Sequence, residues 1–261
     1  MSIALGLSLA ATATGTSQAA TNNGPVDVLY AGSLTDIMMN QIGPAFDKAT
    51  GYDFVGFAAG SSELASDIKG RLRPADVFVS ASAKVDGTLM GKANGDWVNS
   101  YKDVGRTYLE IGYNPKGKFA AQLKAKPWYD VVGESGFRLG RTDPATDPKG
   151  VLAHEALAGA ANKYHLPPLA IEASETSDVF PEESLVGRLQ SGQLDAGFFY
   201  AVEAQAAHIP TVPLTGYPLY ATYTVAVVNH APHPSGAASF AAFLTGAAGK
   251  KILAQDGLTV S

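Results

Sequence analysis

Apolar residues recur along the chain in two alternating rhythms. A short apolar run over Val26–Tyr30 predicts a strand. Helical spacing through Leu34, Ile37, Met38, Ile42, Ala45 and Phe46 follows, predicting a helix over Leu34–Thr50 that Gly51 closes. Residues 54–58 (FVGFA) read as a second strand, Glu63–Leu72 as a second helix, the mostly apolar Ala75–Ser80 as a buried third strand, and Ala83–Ala93 as helix. The pattern then restarts. Tyr108–Tyr113 is strand-like and ends at Asn114-Pro115, Lys118–Lys124 is a short helix, Gly136–Gly140 a strand, and Val151–Tyr164 a helix beyond Pro148. Glu183–Gln190 reads as helix behind Pro181, Leu194–Tyr200 as a buried strand, Ala201–Ala207 as helix and Thr211–Leu214 as a short strand. Leu219–Val228, rich in Tyr, Thr and Val, is a long strand, and helices over Ser235–Leu244 and Ala248–Gln255 follow it.

Such alternation of strand and helix implies right-handed crossovers and a parallel sheet. Two α/β segments of similar size, with a late strand returning to the first, predict two lobes joined by two crossings and a cleft between them. Ligands of open α/β sheets sit beyond the carboxyl ends of strands. Two such ends carry the same arrangement of strand, small residues, hydroxyl and helix: YAGSLTD places Ser33 there, and FAAGSSELASDI places Ser61 and Ser62. Small residues let the backbone approach a ligand closely. A hydroxyl beside the free amides of a helix start attracts an anion. Simple capping explains any single serine; the repetition points to a shared anion site.

A third segment, GRTDPATDPKG, brackets a turn with two Asp-Pro pairs and opens a helix at Lys149-Gly150. It reads either as a Pro-stiffened loop with an Asx-turn or as a further helix start offering amides. Asp143 and Asp147 alone do not make the oxygen set that a hard cation takes. Tyr200 ends the strand LDAGFFY, where its phenol either packs or donates into the cleft. His154, His165, His208, His230 and His233 lack metal-ligand spacing, and the pattern His-Glu-x-x-His that starts at His154 fails at Ala158. Ser61 is not in Gly-x-Ser-x-Gly, and no Ser-x-x-Lys starts at Ser33. The residues therefore point away from an enzyme, with a serine-dependent hydrolase as the less favoured alternative.

Composition narrows the class. The 261 residues are 46% hydrophobic and 16% charged, which suits one large globular domain or two medium ones. A net charge of −5 without long charge runs argues against a nucleic-acid partner. Absence of cysteine excludes disulfides, thiolate metal sites and a Cys nucleophile. Residues 3–14 form an apolar run, and Ser17-Gln18-Ala19 has the small-x-small form of a cleavage site, so residues 1–20 read as a signal peptide. The run is shorter than the roughly 20 residues of a membrane span. No Cys follows it to carry a lipid. A soluble, periplasmic or otherwise extracytoplasmic protein starting near residue 20 is expected.

The stretches YAGSLTD, FAAGSSELASDI, ADVFVSAS, GRTDPATDPKG and LQSGQLDAGFFYAVEA together carry a family resemblance. Over about residues 25–258 the chain resembles the molybdate/tungstate-binding proteins that serve ABC importers, within the class II periplasmic binding proteins. The resemblance implies a two-lobed α/β fold of type II, with a ligand cleft between lobe 1 (25–106 plus 219–261) and lobe 2 (107–218). It implies hinges near Arg106–Tyr108 and Pro213–Pro218. A tetrahedral oxyanion would be held by the hydroxyls of Ser33 and Ser61, the backbone N–H of Lys149 and of Glu182, and the phenol of Tyr200. Ser62 and Asp147 are additional candidates, and neither a cofactor nor a free metal cation is implied. Lys149 and Glu182 stand where bacterial members usually carry small or apolar residues; since the contacts run through backbone, both side chains are expected to point away. A second branch of the family completes octahedral coordination with two carboxylates. Asp147 matches one, but Phe199 stands at the other, which favours a tetrahedral anion. The implied function is capture of molybdate or tungstate by a monomer that delivers it to an importer permease. Sulfate, phosphate or another oxyanion is the near alternative. A protonated phosphate would need an acceptor, which Glu182 or Asp147 provides.

Overall fold

In the computed structural model, which describes residues 22–260, Pro25–Ala31 (β1) lies between Asp53–Ala59 (β2) and Val77–Ser80 (β3), parallel to both. The signal peptide read over residues 1–20 lies outside the described residues. From β1 the chain passes through a 3-10 turn at Gly32–Leu34, the short helix Thr35–Ile37 (α1), a π-helical stretch at Met38–Ile42 and Gly43–Thr50 (α2). A single helix was expected here. Pro44, in the first turn of α2, has no N–H to donate back along the helix, and the backbone widens just before it. Gly51 ends α2 at φ 73°, a left-handed conformation that glycine adopts without strain.

Ser61–Gly70 (α3) connects β2 to β3. Ala83–Gly87 (α4) is shorter than the helix expected over Ala83–Ala93; the chain turns away through Gly91 at φ 78° and Gly95 at φ 95°. Lys102–Tyr113 (β4) is twice as long as the strand expected there. Its first part, polar and broken by a register shift at Asp103/Gly105, lacks a clean apolar alternation. The second half of the chain holds Ala120–Ala125 (α5), Trp128–Val131 (α6), Leu139–Gly140 (β5), Pro148–Tyr164 (α7) and Pro167–Ser174 (α8). It continues through Leu185–Gln190 (α9), Ala196–Tyr200 (β6), Ala201–Ala206 (α10) and Thr211–Pro213 (β7). Tyr220–Val227 (β8), Pro234–Thr245 (α11), Ala247–Gln255 (α12) and Thr259–Val260 (β9) complete the described chain.

The strands run in the order β2-β1-β3-β8-β4-β6-β5, with β7 and β9 also on β4. The parallel sheet that was expected is present at β1–β2, β1–β3 and β5–β6. It is interrupted by β8, antiparallel to both β3 and β4, and by the antiparallel pairing of β4 with β6. These two strands differ because they carry the chain between the halves of the molecule instead of returning through a crossover helix. The early part of β4 pairs with β8 and β9, and its later part with β6 and β7. The main apolar core follows this path, from Val28, Phe46 and Phe240 in one half to Ile111, Trp128 and Phe198 in the other. The result is a mixed α/β, two-lobed fold. No helix of the described residues is long and apolar enough to cross a membrane.

One glycine in this frame bears directly on the site. In the first turn of α7, a Cβ on Gly150 would lie 2.5 Å from the Thr142 carbonyl oxygen and 2.6 Å from the Asp143 carbonyl carbon. The loop 142–147 is thus pressed against the start of α7. Gly150→Ala gains about 1 kcal/mol of helix propensity, but overpacking against backbone costs about 1–3 kcal/mol. A net loss of stability is expected in denaturant unfolding. A gain would mean that the loop yields freely and does not hold the helix start in place.

Candidate functional site

Seven residues singled out in the sequence converge where the carboxyl ends of β1, β2 and β6 meet the start of α7. Ser33 sits on the 3-10 turn after β1 and is buried; its Oγ and the Tyr223 hydroxyl of β8 share a hydrogen bond of 2.8 Å. Ser61 is the first residue of α3, with no exposed surface. Its Oγ accepts from the Ala81 amide at 3.0 Å, which leaves the hydroxyl proton to donate. Tyr200 ends β6 fully buried, and its ring meets Tyr223 edge-on at 5.9 Å. The Tyr200 hydroxyl is buried without a hydrogen-bond partner. Burial raises this phenol well above its ordinary value, and the carboxyl of Asp147 adds to the effect, so Tyr200 remains a protonated donor.

The two lobes touch through backbone at this point. The Thr146 carbonyl accepts from the amides of Ser62 at 3.0 Å and Glu63 at 3.1 Å, so the open end of α3 is capped from the other half of the chain. A Cβ on Gly60 would lie 2.4 Å from that carbonyl oxygen, which explains the glycine. Ser62 itself is half-buried and lines an adjoining cavity of about 360 Å³ with Pro148 and Tyr220. Asp147 caps α7: its Oδ1 accepts from the Lys149 amide at 3.1 Å, while Oδ2 is buried without a partner.

Lys149 and Glu182 depart from expectation. Both side chains turn inward. The Lys149 amide is committed to Asp147, and it is the ammonium that reaches the centre of the site. Nζ donates to Glu182 Oε1 at 2.8 Å and to both oxygens of Glu203, at 2.8 Å and 3.0 Å. It also lies 5.5 Å from the centre of the Phe199 ring and 5.8 Å from that of Tyr200. Burial works against the charge on Lys149, but Glu182, Glu203 and Asp147 outweigh it and hold the ammonium above its usual range. Burial raises the carboxyls of Glu182 and Glu203, and Lys149 opposes the rise in each. One buried ammonium thus faces three buried carboxyls.

Glu203 and Tyr223 were not among the expected site residues. Glu203 had a local signal: it stands three residues after Tyr200, and its Oε2 accepts from the Tyr200 amide at 3.3 Å, as an acidic residue in a first helical turn does. Tyr223 had none, since its contact with Ser33 spans 190 positions of sequence. In front of the cluster lies a cavity of about 190 Å³ lined by Gly32, Asp36, Glu182, Glu183 and Glu203, among others. Two further features lie elsewhere. A cavity of about 320 Å³ is lined by Arg71, Trp97 and His230 at the other end of β3 and β8. Asp27, Asp76 and His233 bring ligand atoms within 4.8 Å of one another. There the Asp76 carboxylate is taken up by the amides of Asp27 at 2.8 Å and His233 at 2.7 Å, which fixes the start of α11.

Comparison with known proteins places the chain in a family and a fold. The family model for bacterial extracellular solute-binding proteins matches residues 26–259. A putative ABC transporter molybdenum-binding protein of Haloferax volcanii is 29% identical over 191 residues, covering 72% of this chain and 59% of that protein. The molybdate-binding protein ModA of Mycobacterium tuberculosis is 28% identical over 236 residues, covering 88% of this chain and 83% of that protein. Among solved structures, the periplasmic molybdate-binding protein of Azotobacter vinelandii superposes with a TM-score of 0.69 at 20% identity, covering 90% of this chain and 99% of that one. At that identity the likeness is one of fold.

Proposed function

We propose that this chain, which belongs to the family of bacterial extracellular solute-binding proteins, captures a tetrahedral oxyanion outside the cytoplasmic membrane and delivers it to an ABC importer. Molybdate or tungstate is the favoured cargo. The observation that carries the reading is the burial of Ser33, Ser61 and Tyr200 at neighbouring strand ends, with the Tyr200 hydroxyl buried and unpartnered. Several hydroxyl donors can replace the hydration shell of an anion without any bound cofactor. The molybdate- and molybdenum-binding relatives support the choice of cargo. In this reading lobe 1 comprises 25–106 plus 219–261 and lobe 2 107–218. The lobes hinge near Arg106–Tyr108 in β4 and Pro213–Pro218 ahead of β8, and a periplasmic monomer hands its cargo to a permease. Catalysis is not part of the proposal: the Ser33 hydroxyl is partnered by a phenol and Ser61 by an amide, neither of which is a general base.

The test is a calorimetric titration with molybdate, tungstate, sulfate and phosphate in parallel, on the parent and on Tyr200→Phe. Tight one-to-one binding of molybdate and tungstate, with sulfate silent, is expected. Because the Tyr200 hydroxyl has no partner within the protein, its removal should leave thermal stability unchanged or slightly improved. It should weaken anion binding by about 1.5 kcal/mol, roughly tenfold. Unchanged affinity would place the anion elsewhere. Preference for sulfate or phosphate would keep the site and change the cargo.

A further inference from the structure

Glu182 holds a position in this site that none of the other carboxyls shares. Glu203 is committed, with both oxygens on Lys149 and Oε2 also on the Tyr200 amide. Asp147 uses Oδ1 to cap α7, and its Oδ2 is buried without a partner but is not set against the turn after β1 that carries Ser33. Glu182 places Oε1 on Lys149, but its Oε2 is buried and has no hydrogen-bond partner. That oxygen lies directly against the hydroxyl-bearing turn after β1: a Cβ on Gly32 would be 1.6 Å from it. The carboxyl bridges the two lobes at the place where an anion held by Ser33 would sit.

The groups that face Glu182 come from several elements. Lys149 and Asp147 stand at the start of α7 and Glu203 on α10. Tyr200 ends β6, and Tyr223 and Tyr30 approach from β8 and β1. Asp36 and Glu183 line the same cavity. Lys149 is the one cation in this set. A dianion added here meets like charges in a site of low polarity, where their repulsion is weakly screened. Two carboxyl oxygens here are buried without a partner, Asp147 Oδ2 and Glu182 Oε2; it is the Glu182 oxygen that lies against the turn carrying Ser33, so the repulsion is relieved most directly there. Burial already raises this carboxyl above its ordinary value, against the opposing pull of Lys149.

Resting on the oxyanion reading above, we propose that Glu182 takes up a proton when the anion binds and then donates its O–H to an oxygen of the anion. The proton comes from solvent and goes to Oε2; no other covalent bond changes. Glu182 is thereby a specificity-determining side chain. Protonated, it is a donor to a fully deprotonated oxyanion such as molybdate, tungstate or sulfate. Ionised, it is an acceptor for an anion that brings its own proton, such as hydrogen phosphate, whose capture then needs no proton from solvent.

Calorimetric titration of the full chain with molybdate at pH 7, in two buffers of very different ionisation heat, reads the proton directly. The expected result is uptake of close to one proton per anion, with Kd rising about tenfold per pH unit towards pH 9. Glu182→Gln keeps a donor that does not titrate. Its Kd should be flat over the same range, and its binding heat should be independent of buffer. Buffer-independent heat and a pH-flat Kd in the parent would overturn the proposal, and that measurement needs no variant to fold. Proton uptake that persists in Glu182→Gln would overturn it too, by placing the proton on another group. Absence of binding to molybdate, tungstate, sulfate and phosphate by both proteins from pH 6 to 9 would instead remove the oxyanion reading, and the linkage with it.

Discussion

Lys149→Ala is expected to lower the unfolding free energy at pH 8 by about 3–5 kcal/mol, the range for removing one partner of a buried ion pair. Lys149 has no exposed surface, and its Nζ holds Glu182 and Glu203 at 2.8 Å each. Without the ammonium, two buried carboxylates face each other and Asp147 with nothing to offset them. The sign of the pH dependence follows. Burial already raises both carboxyls above the ordinary 4.5, and loss of Lys149 removes the main opposing influence. The folded variant then binds protons that the unfolded chain releases, so its stability recovers as pH falls towards 5. Denaturant unfolding at pH 5 and pH 8, with Lys149→Met alongside to preserve the aliphatic stem, separates the causes. An equal loss for Lys149→Ala at both pH values, restored by Lys149→Met, would assign the effect to packing of the stem and not to charge.

A stabilising substitution is expected away from the cleft. Asp86, in α4, is fully buried; its Oδ2 accepts from the Thr224 hydroxyl at 2.6 Å, and its Oδ1 has no partner. Burial pushes this carboxyl up from 3.8 to about 6, with the Thr224 hydroxyl opposing. Between those values the folded protein keeps a proton that the unfolded chain has lost. Stability therefore falls as pH rises from about 4 to about 6 and is level above. The gap corresponds to about 3 kcal/mol. Asp86→Asn retains an acceptor for Thr224 and cannot ionise. It should match the parent at pH 4 and exceed it by about 1–3 kcal/mol at pH 8. Thermal unfolding at the two pH values tests this. A gain of equal size at both would mean that ionisation of Asp86 plays no part.

The β1–α3–β3 region was legible in the sequence because its signals are local: apolar runs of strand length, glycine before a hydroxyl, and helical spacing after it. The same locality exposed Ser33, Ser61 and Tyr200 as candidates. What escaped depends on distance or on weak alternation. The early part of β4 is polar and carries a bulge, and its partners Tyr220–Val225 lie more than a hundred residues further on. No element was expected between Tyr164 and Pro181, yet the consecutive prolines at 167 and 168 open α8, since the first turn of a helix has no use for their missing amides. The inward turn of Lys149 and Glu182 had no signal within either segment. It arises because Glu203, 54 residues beyond Lys149, supplies the second carboxyl that makes a buried ammonium tolerable.

The capping of α3 by Thr146 has a consequence for discrimination. The amides of Ser62 and Glu63 are spent on that carbonyl, and the Lys149 amide on Asp147. Under the oxyanion reading, the side-chain donors left for the anion are the hydroxyls of Ser33, Ser61 and Tyr200, joined by the Glu182 carboxyl once it is protonated. An amide hydrogen is locked in its peptide plane, whereas a hydroxyl hydrogen swings about its C–O bond. Such a pocket is compliant in direction and strict in volume. It re-aims its donors for anions of different bond length and sorts them by the room left when the lobes meet. Retuning its preference would therefore begin with side-chain bulk at the walls, for which Tyr223, bonded to Ser33 and edge-on to Tyr200, is the first place to cut or fill.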